Sequence, residues 1–214
     1  INQHGWAFAA DTQTLYSDLG FILLGWIIET VFSSSLEQLF QRVIAKPLSL
    51  KNTGYGPVEG EVAATFHIEE EPPQSGVVHD QNARALGGSE GHAGLFSTAS
   101  DVVSILRHLM SIWQGEQGIV SHDTLSAFWK VDPGLRFTLG WDTPTEPSSS
   151  GEYMTRGHSV GHLGFTGCSF WHDLKRDVTV SLLTNRVHCP GSLKAIQDFR
   201  PRFHDRIHNF LFRD

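Results

Sequence analysis

The sequence predicts an α+β fold with its helices ahead of its strands. Three observations carry that prediction. Apolar residues recur at helical spacing from Leu19 onward through Leu109. β-type runs are confined to the last third, at residues 158–162, 168–172 and 178–183, and the third is rich in β-branched side chains. A polar stretch, Asp173-Leu174-Lys175-Arg176-Asp177, joins the last two runs as the turn of an antiparallel hairpin. Elements segregated in this way build a layer of helices beside a sheet rather than an alternating βα array.

Each element has a local reason. Residues 1–14 read as irregular, with Trp6 and Phe8 as anchors. From Leu19 on, Leu19, Ile22, Leu23, Trp26 and Ile27 fall on one face of a helix, expected to be buried and to run to Val31 or Phe32. Ser17 or Asp18 caps its start, and Ser33-Ser34-Ser35 ends it and caps the next. That second helix, about residues 36–44, carries Leu36, Leu39, Phe40 and Val43 on one side and stops at Lys46-Pro47, because a residue before proline is steered out of the helical region.

A turn-rich segment follows. Residues 52–57 are expected to be irregular, and Glu69-Glu70-Glu71-Pro72-Pro73 reads as a solvated acidic loop. Gly87-Gly88-Ser89-Glu90-Gly91-His92-Ala93-Gly94 is the densest glycine cluster, suited to positive φ or to close backbone approach. Thr98 with Asp101 resembles a capping box, and the helix it opens turns Val102, Ile105, Leu106 and Leu109 inward. A shorter helix lies near 121–129, and a helix over 193–212 is broken or kinked at Pro201.

Composition bounds the function. At 214 residues, 40% hydrophobic and 18% charged, the chain has room for one globular domain. It reads as a single partial domain, with 1–150 mainly helix and loop and 151–214 the strands and last helix. Sixteen basic against 23 acidic residues give a net charge of −7, which argues against a nucleic-acid partner. The longest apolar run ends at Glu29, too short for a membrane span, and has neither the charged start nor the small-residue end of a signal peptide. Cys168 and Cys189 flank a whole hairpin strand and are expected to stay unpaired. Among the 12 histidines, His79 and His92 with Asp80 are metal-ligand types, but they lack His-x-x-x-His or Cys-x-x-Cys spacing, so neither metal nor cofactor is expected.

Two segments carry the chemistry. Tyr16-Ser17-Asp18 stands at the mouth of the first helix, and His162-Leu163-Gly164-Phe165-Thr166-Gly167 ends a strand. Acyl transfer needs a nucleophile, a proton carrier and N–H donors for the oxyanion. A tyrosine whose pKa is pulled below about 10 by nearby cations serves as proton carrier. A glycine-flanked strand lets a substrate carbonyl lie along the backbone.

In this combination the chain resembles the serine β-lactamase-like hydrolases, in the branch of class C β-lactamases, penicillin-binding-type peptidases and esterases. Tyr16-Ser17-Asp18, followed by the apolar helix, looks like the family's Tyr-x-Asn motif. Gly161-His162-Leu163-Gly164 looks like its Lys/His-Thr-Gly motif, followed by a hairpin ending Leu182-Leu183-Thr184-Asn185-Arg186. Lys46-Pro47-Leu48 through Gly54, Val78-His79-Asp80-Gln81-Asn82 and Gly91-His92-Ala93-Gly94-Leu95-Phe96-Ser97-Thr98 are similar to further family stretches, in the right order along nearly the whole chain.

The resemblance implies a β-lactamase-like fold, a helical subdomain plus an antiparallel sheet flanked by helices, here N-terminally truncated. It implies Tyr16 as general base and acid, Asp18 in the Asn position, His162 in the Lys/His position and the Phe165 N–H in the oxyanion hole. Gly164, Leu163 and His92 would contact substrate, His92 with a structural role as its alternative. The family's Ser-x-x-Lys is absent from this chain, since no serine is followed by lysine three residues on. Asp18 replaces Asn, and Leu163 replaces Thr, which removes a hydroxyl used toward substrate carboxylates. His162 in place of lysine would grip a carboxylate less firmly, favouring an ester or peptide over a β-lactam.

The expected function is therefore the C-terminal part of a serine hydrolase acting on an ester or amide, inactive alone. The alternative is a scaffold or binding protein that keeps the fold without the nucleophile. The expected partners are a small-molecule or peptide substrate, and a missing N-terminal segment or another copy of the chain at the unpaired edge of the last strand. A periplasmic or extracellular place is favoured by the family alone.

Overall fold

The computed structural model describes residues 8–9, 11–66, 74–145, 150–188 and 193–212. The expected anchor Trp6, the acidic loop at 69–73 and Cys189 lie outside them. Among the described residues the helices are α1 (Asp18–Phe32), α2 (Leu36–Phe40, running into a π-helical turn at Gln41–Ala45), α3 (Gln81–Ala85), α4 (Ala99–Trp113), α5 (His122–Trp129) and α6 (Leu193–Leu211). The strands are β1 (Gly54–Tyr55), β2 (Ala64–Phe66), β3 (Gln74–Ser75), β4 (Leu95–Phe96), β5 (Ser159–Leu163), β6 (Ser169–Asp173) and β7 (Val178–Leu182).

The caps follow their side chains. Ser17 caps α1 by accepting from the Gly20 N–H, and Ser35 forms a reciprocal capping box with Gln38 at α2. Thr98 caps α4 by accepting from the Asp101 N–H. Asp101 does not reach back to complete a box. Its Oδ2 instead accepts from the Asn52 N–H at 2.8 Å and the Thr53 hydroxyl at 2.9 Å, so the carboxylate ties the helix start to a distant loop. Within the segment expected to be irregular, Gly54 and Tyr55 form β1, paired antiparallel with β4. The short helix α3 was not foreseen; Asp80 caps it through the Ala83 N–H.

The hairpin is as its period required. β5, β6 and β7 form an antiparallel sheet in that order, with Gly161 opposite Trp171 and Trp171 opposite Val180. Alternation along the strands splits the side chains between two faces. Val160 joins Met110, Ile112, Leu125 and Trp129 in a core under α4 and α5. Trp129 meets Trp113 at a tilt and Trp141 edge-on there, each at 5.5 Å between ring centroids, and Trp141 meets Phe170 edge-on. On the other face Trp171 and Val180 pack with Met154, Leu163, and Phe203 and Ile207 of α6. Gly161 makes room for this packing, since a Cβ on it would lie 2.5 Å from the Trp171 ring. α6 is one continuous helix through Pro201. β7 is a sheet edge among the described residues.

One expectation is corrected. The α1 face predicted to be buried is largely in water: Leu19, Leu23, Trp26 and Ile27 are exposed, as are Val31 and Phe32, and only Ile22 and Gly25 are buried. Periodicity marks a face that wants cover, but it does not supply the covering element. Val43 of the next helical face is likewise exposed. No single helix among the described residues is long and apolar enough to cross a membrane; α1 and the 36–45 segment reach that threshold only together, across a 74° bend.

What α1 does pack against is the glycine cluster. A Cβ on Gly91 would sit 2.1 Å from the carbonyl oxygen of Phe21, and one on Gly25 would sit 3.4 Å from the backbone nitrogen of Gly91. Backbone meets backbone there, so neither side has a rotamer to give. Gly91→Ala is expected to destabilise the protein by about 1–3 kcal/mol, read by urea unfolding. A change below about 0.5 kcal/mol, the size of an ordinary surface substitution, would show that the loop is free to move off the helix.

Candidate functional site

The start of α1 and the end of β5, far apart in sequence, meet in space. The rings of Tyr16 and His162 lie 6.2 Å apart between centroids, tilted by 34°, and Phe137 flanks Tyr16 at 5.7 Å. Capping places Tyr16: Ser17 turns its hydroxyl into the helix mouth, and the residue before it projects from the last extended position. Sheet register places His162, which pairs with Phe170 on β6.

The charges around these rings differ from the expectation. Among the described residues no cation lowers the pKa of Tyr16. Partial desolvation of the phenol, then the negative charges of Asp18 and Asp142, hold it above 10. Burial pushes the His162 imidazole below 6.5, against the pull of Asp142, so it is neutral at pH 7.

Asp142 is a residue that sequence reasoning missed. It sits in a proline-flanked stretch with no motif, and joins β5 through a two-way backbone bridge with Gly161 at 2.8 and 3.0 Å. It is 6% exposed, and burial pushes its carboxyl up against the Thr143 N–H bond and the charges of His162, Arg136 and Arg156.

Asp18 faces a second acidic group. Its carboxylate, that of Asp80 and the ring of His92 offer ligand atoms that all lie within 4.8 Å of one another. The His92 side chain is 4% exposed, and its Nε2–H donates to Asp80 Oδ1 at 2.8 Å. The same Oδ1 accepts from the Ala83 N–H at 2.8 Å. Burial pushes the Asp80 carboxyl up, but these two bonds, the charge of His92 and the Asn82 N–H outweigh it and leave the carboxyl below its usual value. The trio is therefore a hydrogen-bonded His92–Asp80 pair with the Asp18 carboxylate beside it, and it has the donor types for a cation. His79, the third residue weighed for a metal from sequence, is outside it, and its ring stacks on Phe165 at 5.7 Å.

The turn after β5 carries the remaining residues. Gly164 donates its N–H to Cys168 O at 2.8 Å, and Gly167, at φ 99°, donates to Gly164 O at 3.1 Å. The Phe165 side chain is 69% exposed. None of the hydrogen bonds among the described residues uses the Phe165 N–H. Leu163 is turned to the opposite face from His162, where it packs with the Met154–Trp171–Val180 core. An apolar side chain at that position is explained by packing. Cys168 is a free thiol.

The chain belongs to the beta-lactamase family, whose profile matches residues 1–199. It is 31% identical to an N-acetylmuramyl-L-alanine amidase of Bacillus subtilis (strain 168) over 211 residues, covering 86% of this chain and 46% of that protein. It is 28% identical over 201 residues to a putative D-alanyl-D-alanine carboxypeptidase of Salmonella agona (strain SL483), covering 84% of this chain and 46% of that one. Its fold matches a beta-lactamase from Mycobacterium bovis with a TM-score of 0.64 at 19% identity, over 92% of this chain and 64% of the other. The chain thus spans about half the length of the two sequence relatives.

Proposed function

We propose that this chain is the C-terminal part of a serine hydrolase that cleaves an ester or a peptide amide through an acyl-enzyme, with the nucleophilic serine and its lysine supplied from outside these 214 residues. The observation that carries the reading is the meeting of Tyr16 and His162 beside a turn whose Phe165 N–H has no partner among the described residues. The serine oxygen attacks the substrate carbonyl and loses its proton to the Tyr16–lysine pair. The Phe165 N–H donates to the resulting oxyanion. Collapse breaks the bond to the alcohol or amine, which leaves with that proton, and water then repeats the attack on the acyl-enzyme.

The raised pKa of Tyr16 supports a contribution from elsewhere. With Asp18 and Asp142 as its charged neighbours the phenol keeps its proton, so acting as a base requires a cation that offsets them. The exposed apolar face of α1 and the open edge of β7 support a covering segment in the same way. The names of the two sequence relatives make an amide next to alanine the favoured substrate class.

A second reading, a binding protein that keeps the fold without the nucleophile, is favoured by the Asp in the Asn position, which adds negative charge where an acid–base tyrosine needs the reverse. A fluorophosphonate probe separates the two on the natural gene product containing this chain. Covalent labelling is expected, with p-nitrophenyl esters turned over faster than nitrocefin. No labelling would leave the binding protein standing, and a faster nitrocefin rate would overturn the ester or peptide preference.

A further inference from the structure

The turn at residues 164–168 is held from beneath by two arginines, one of them buried without a carboxylate. Arg200 of α6 is 6% exposed. Its Nε donates to Gly167 O at 3.0 Å, and its Nη2 donates to Gly164 O at 2.6 Å and to Cys168 O at 2.7 Å. Among the described residues no Asp or Glu forms an ion pair with it. Arg186, after β7, holds the other two carbonyls: its Nε donates to Phe165 O at 2.8 Å and its backbone N–H to Thr166 O at 2.9 Å. The Arg186 guanidinium also lies 4.4 Å over the Phe165 ring.

All five carbonyls of the turn are thus hydrogen-bonded, and those of Gly164, Gly167 and Cys168 are drawn inward by the buried Arg200. A peptide plane whose oxygen points in carries its N–H toward the opposite side. Neither the Phe165 nor the Thr166 N–H is used by a hydrogen bond among the described residues. A buried guanidinium is ordinarily matched by a carboxylate; here carbonyl dipoles take that place. The planar fork binds three oxygens in one fixed geometry, which a lysine ammonium cannot copy. The interior charge also lies behind the N–H groups, where it favours negative charge in front of them.

We propose that Arg200 is a positioning residue for the oxyanion site: by clamping the carbonyls of Gly164, Gly167 and Cys168 it fixes the Phe165 N–H toward the reacting carbonyl. This rests on the hydrolase reading above, so the test has one arm that does not need turnover. In the natural gene product containing this chain, Arg200→Met and Arg200→Lys are compared with Arg202→Met, an exposed arginine on the same helix.

The first readout is amide hydrogen exchange. Gly164 and Gly167 are expected to exchange about tenfold faster in Arg200→Met, with β6 and β7 unchanged. The second is steady-state p-nitrophenyl ester hydrolysis. A displaced oxyanion donor is expected to lower kcat about 10- to 100-fold while KM stays within about threefold, and Arg202→Met matches wild type. Arg200→Lys is expected to fold with normal β6 protection and still fail to restore kcat.

Exchange rising evenly over β5–β7 would make Arg200 a general core residue and overturn the proposal. So would wild-type kcat in Arg200→Lys, which decides the matter if Arg200→Met does not fold. A wild-type protein that neither turns over ester nor takes a fluorophosphonate label sinks the hydrolase reading and the catalytic role with it. The exchange arm then still decides whether Arg200 holds the turn.

Discussion

Tyr16→Phe is expected to lower kcat/KM for ester hydrolysis by the natural gene product about 10²- to 10⁴-fold, the range for loss of a positioned acid–base group. The substitution removes one hydroxyl and leaves the ring, so its contacts with Phe137 and His162 persist. Tyr16 is 60% exposed, and its hydroxyl supports no core packing. Stability should therefore stay within about 0.5 kcal/mol of wild type. The loss should fall on kcat, because the hydroxyl acts on a proton in flight rather than on bound substrate. Turnover within about threefold of wild type would remove Tyr16 from the chemistry. A matching loss of unfolding free energy would show that the activity fell for a structural reason.

The second large effect is on acid stability. His204 is 1% exposed on α6, and burial, with the positive charge of Arg200 beside it, lowers its pKa from 6.5 to about 4. Its Nε2 meets the Ser169 hydroxyl at 3.2 Å, a contact that the neutral ring makes. Between pH 6.5 and about 4 the unfolded chain binds a proton there that the folded chain refuses. Stability therefore rises with pH across that window, is fully present above 6.5, and is lost as pH falls toward 4.

The size of this effect follows from a depression of between two and three pKa units, or about 3 kcal/mol. His172, also 1% exposed and lowered chiefly by burial, acts in the same direction. The measurement is urea unfolding of wild type and His204→Gln at pH 7 and pH 4. The difference between the two proteins should shift by about 3 kcal/mol in favour of the variant at the lower pH. The same difference at both pH values would mean that His204 takes its proton without strain in the folded state.

The strands of the last third were legible because their signal is local, whereas β1 to β4, expected as turn or loop, are too short to carry a period. Period-2 runs on either side of the 173–177 turn placed β5, β6 and β7 within a residue or so of their observed bounds. The caps at Ser17, Ser35 and Thr98 were legible for the same reason, since a hydroxyl needs only the next turn of its own helix. Asp101 shows where this stops. Its spacing from Thr98 fits a capping box, but its carboxylate found better donors at Asn52 and Thr53. The helix α3 was hidden because five residues carry too little periodicity to register.

The candidate site divides along the same line. Tyr16 and His162 were reached through motif order, and their closeness needed coordinates. Asp142 and Arg200 carried no sequence signal: one lies in an irregular stretch, and the other looks like any basic residue on an amphipathic helix. The electrostatics of Tyr16 could not be read from its neighbours in the chain, because Asp142 comes to it through the pairing with β5.

By itself the sequence determined the helix and strand periods, the capped starts, the hairpin turn, and the order of motifs that marks the family. These depend on groups a few residues apart, whose distances the backbone sets. Only the tertiary structure decided that the apolar face of α1 stands open, that Leu163 belongs to the core, that the charge of Asp142 acts on the phenol, and that Arg200 ends beneath the turn. Each of those depends on which surfaces meet after the chain has closed, and burial and charge act through space rather than along the chain.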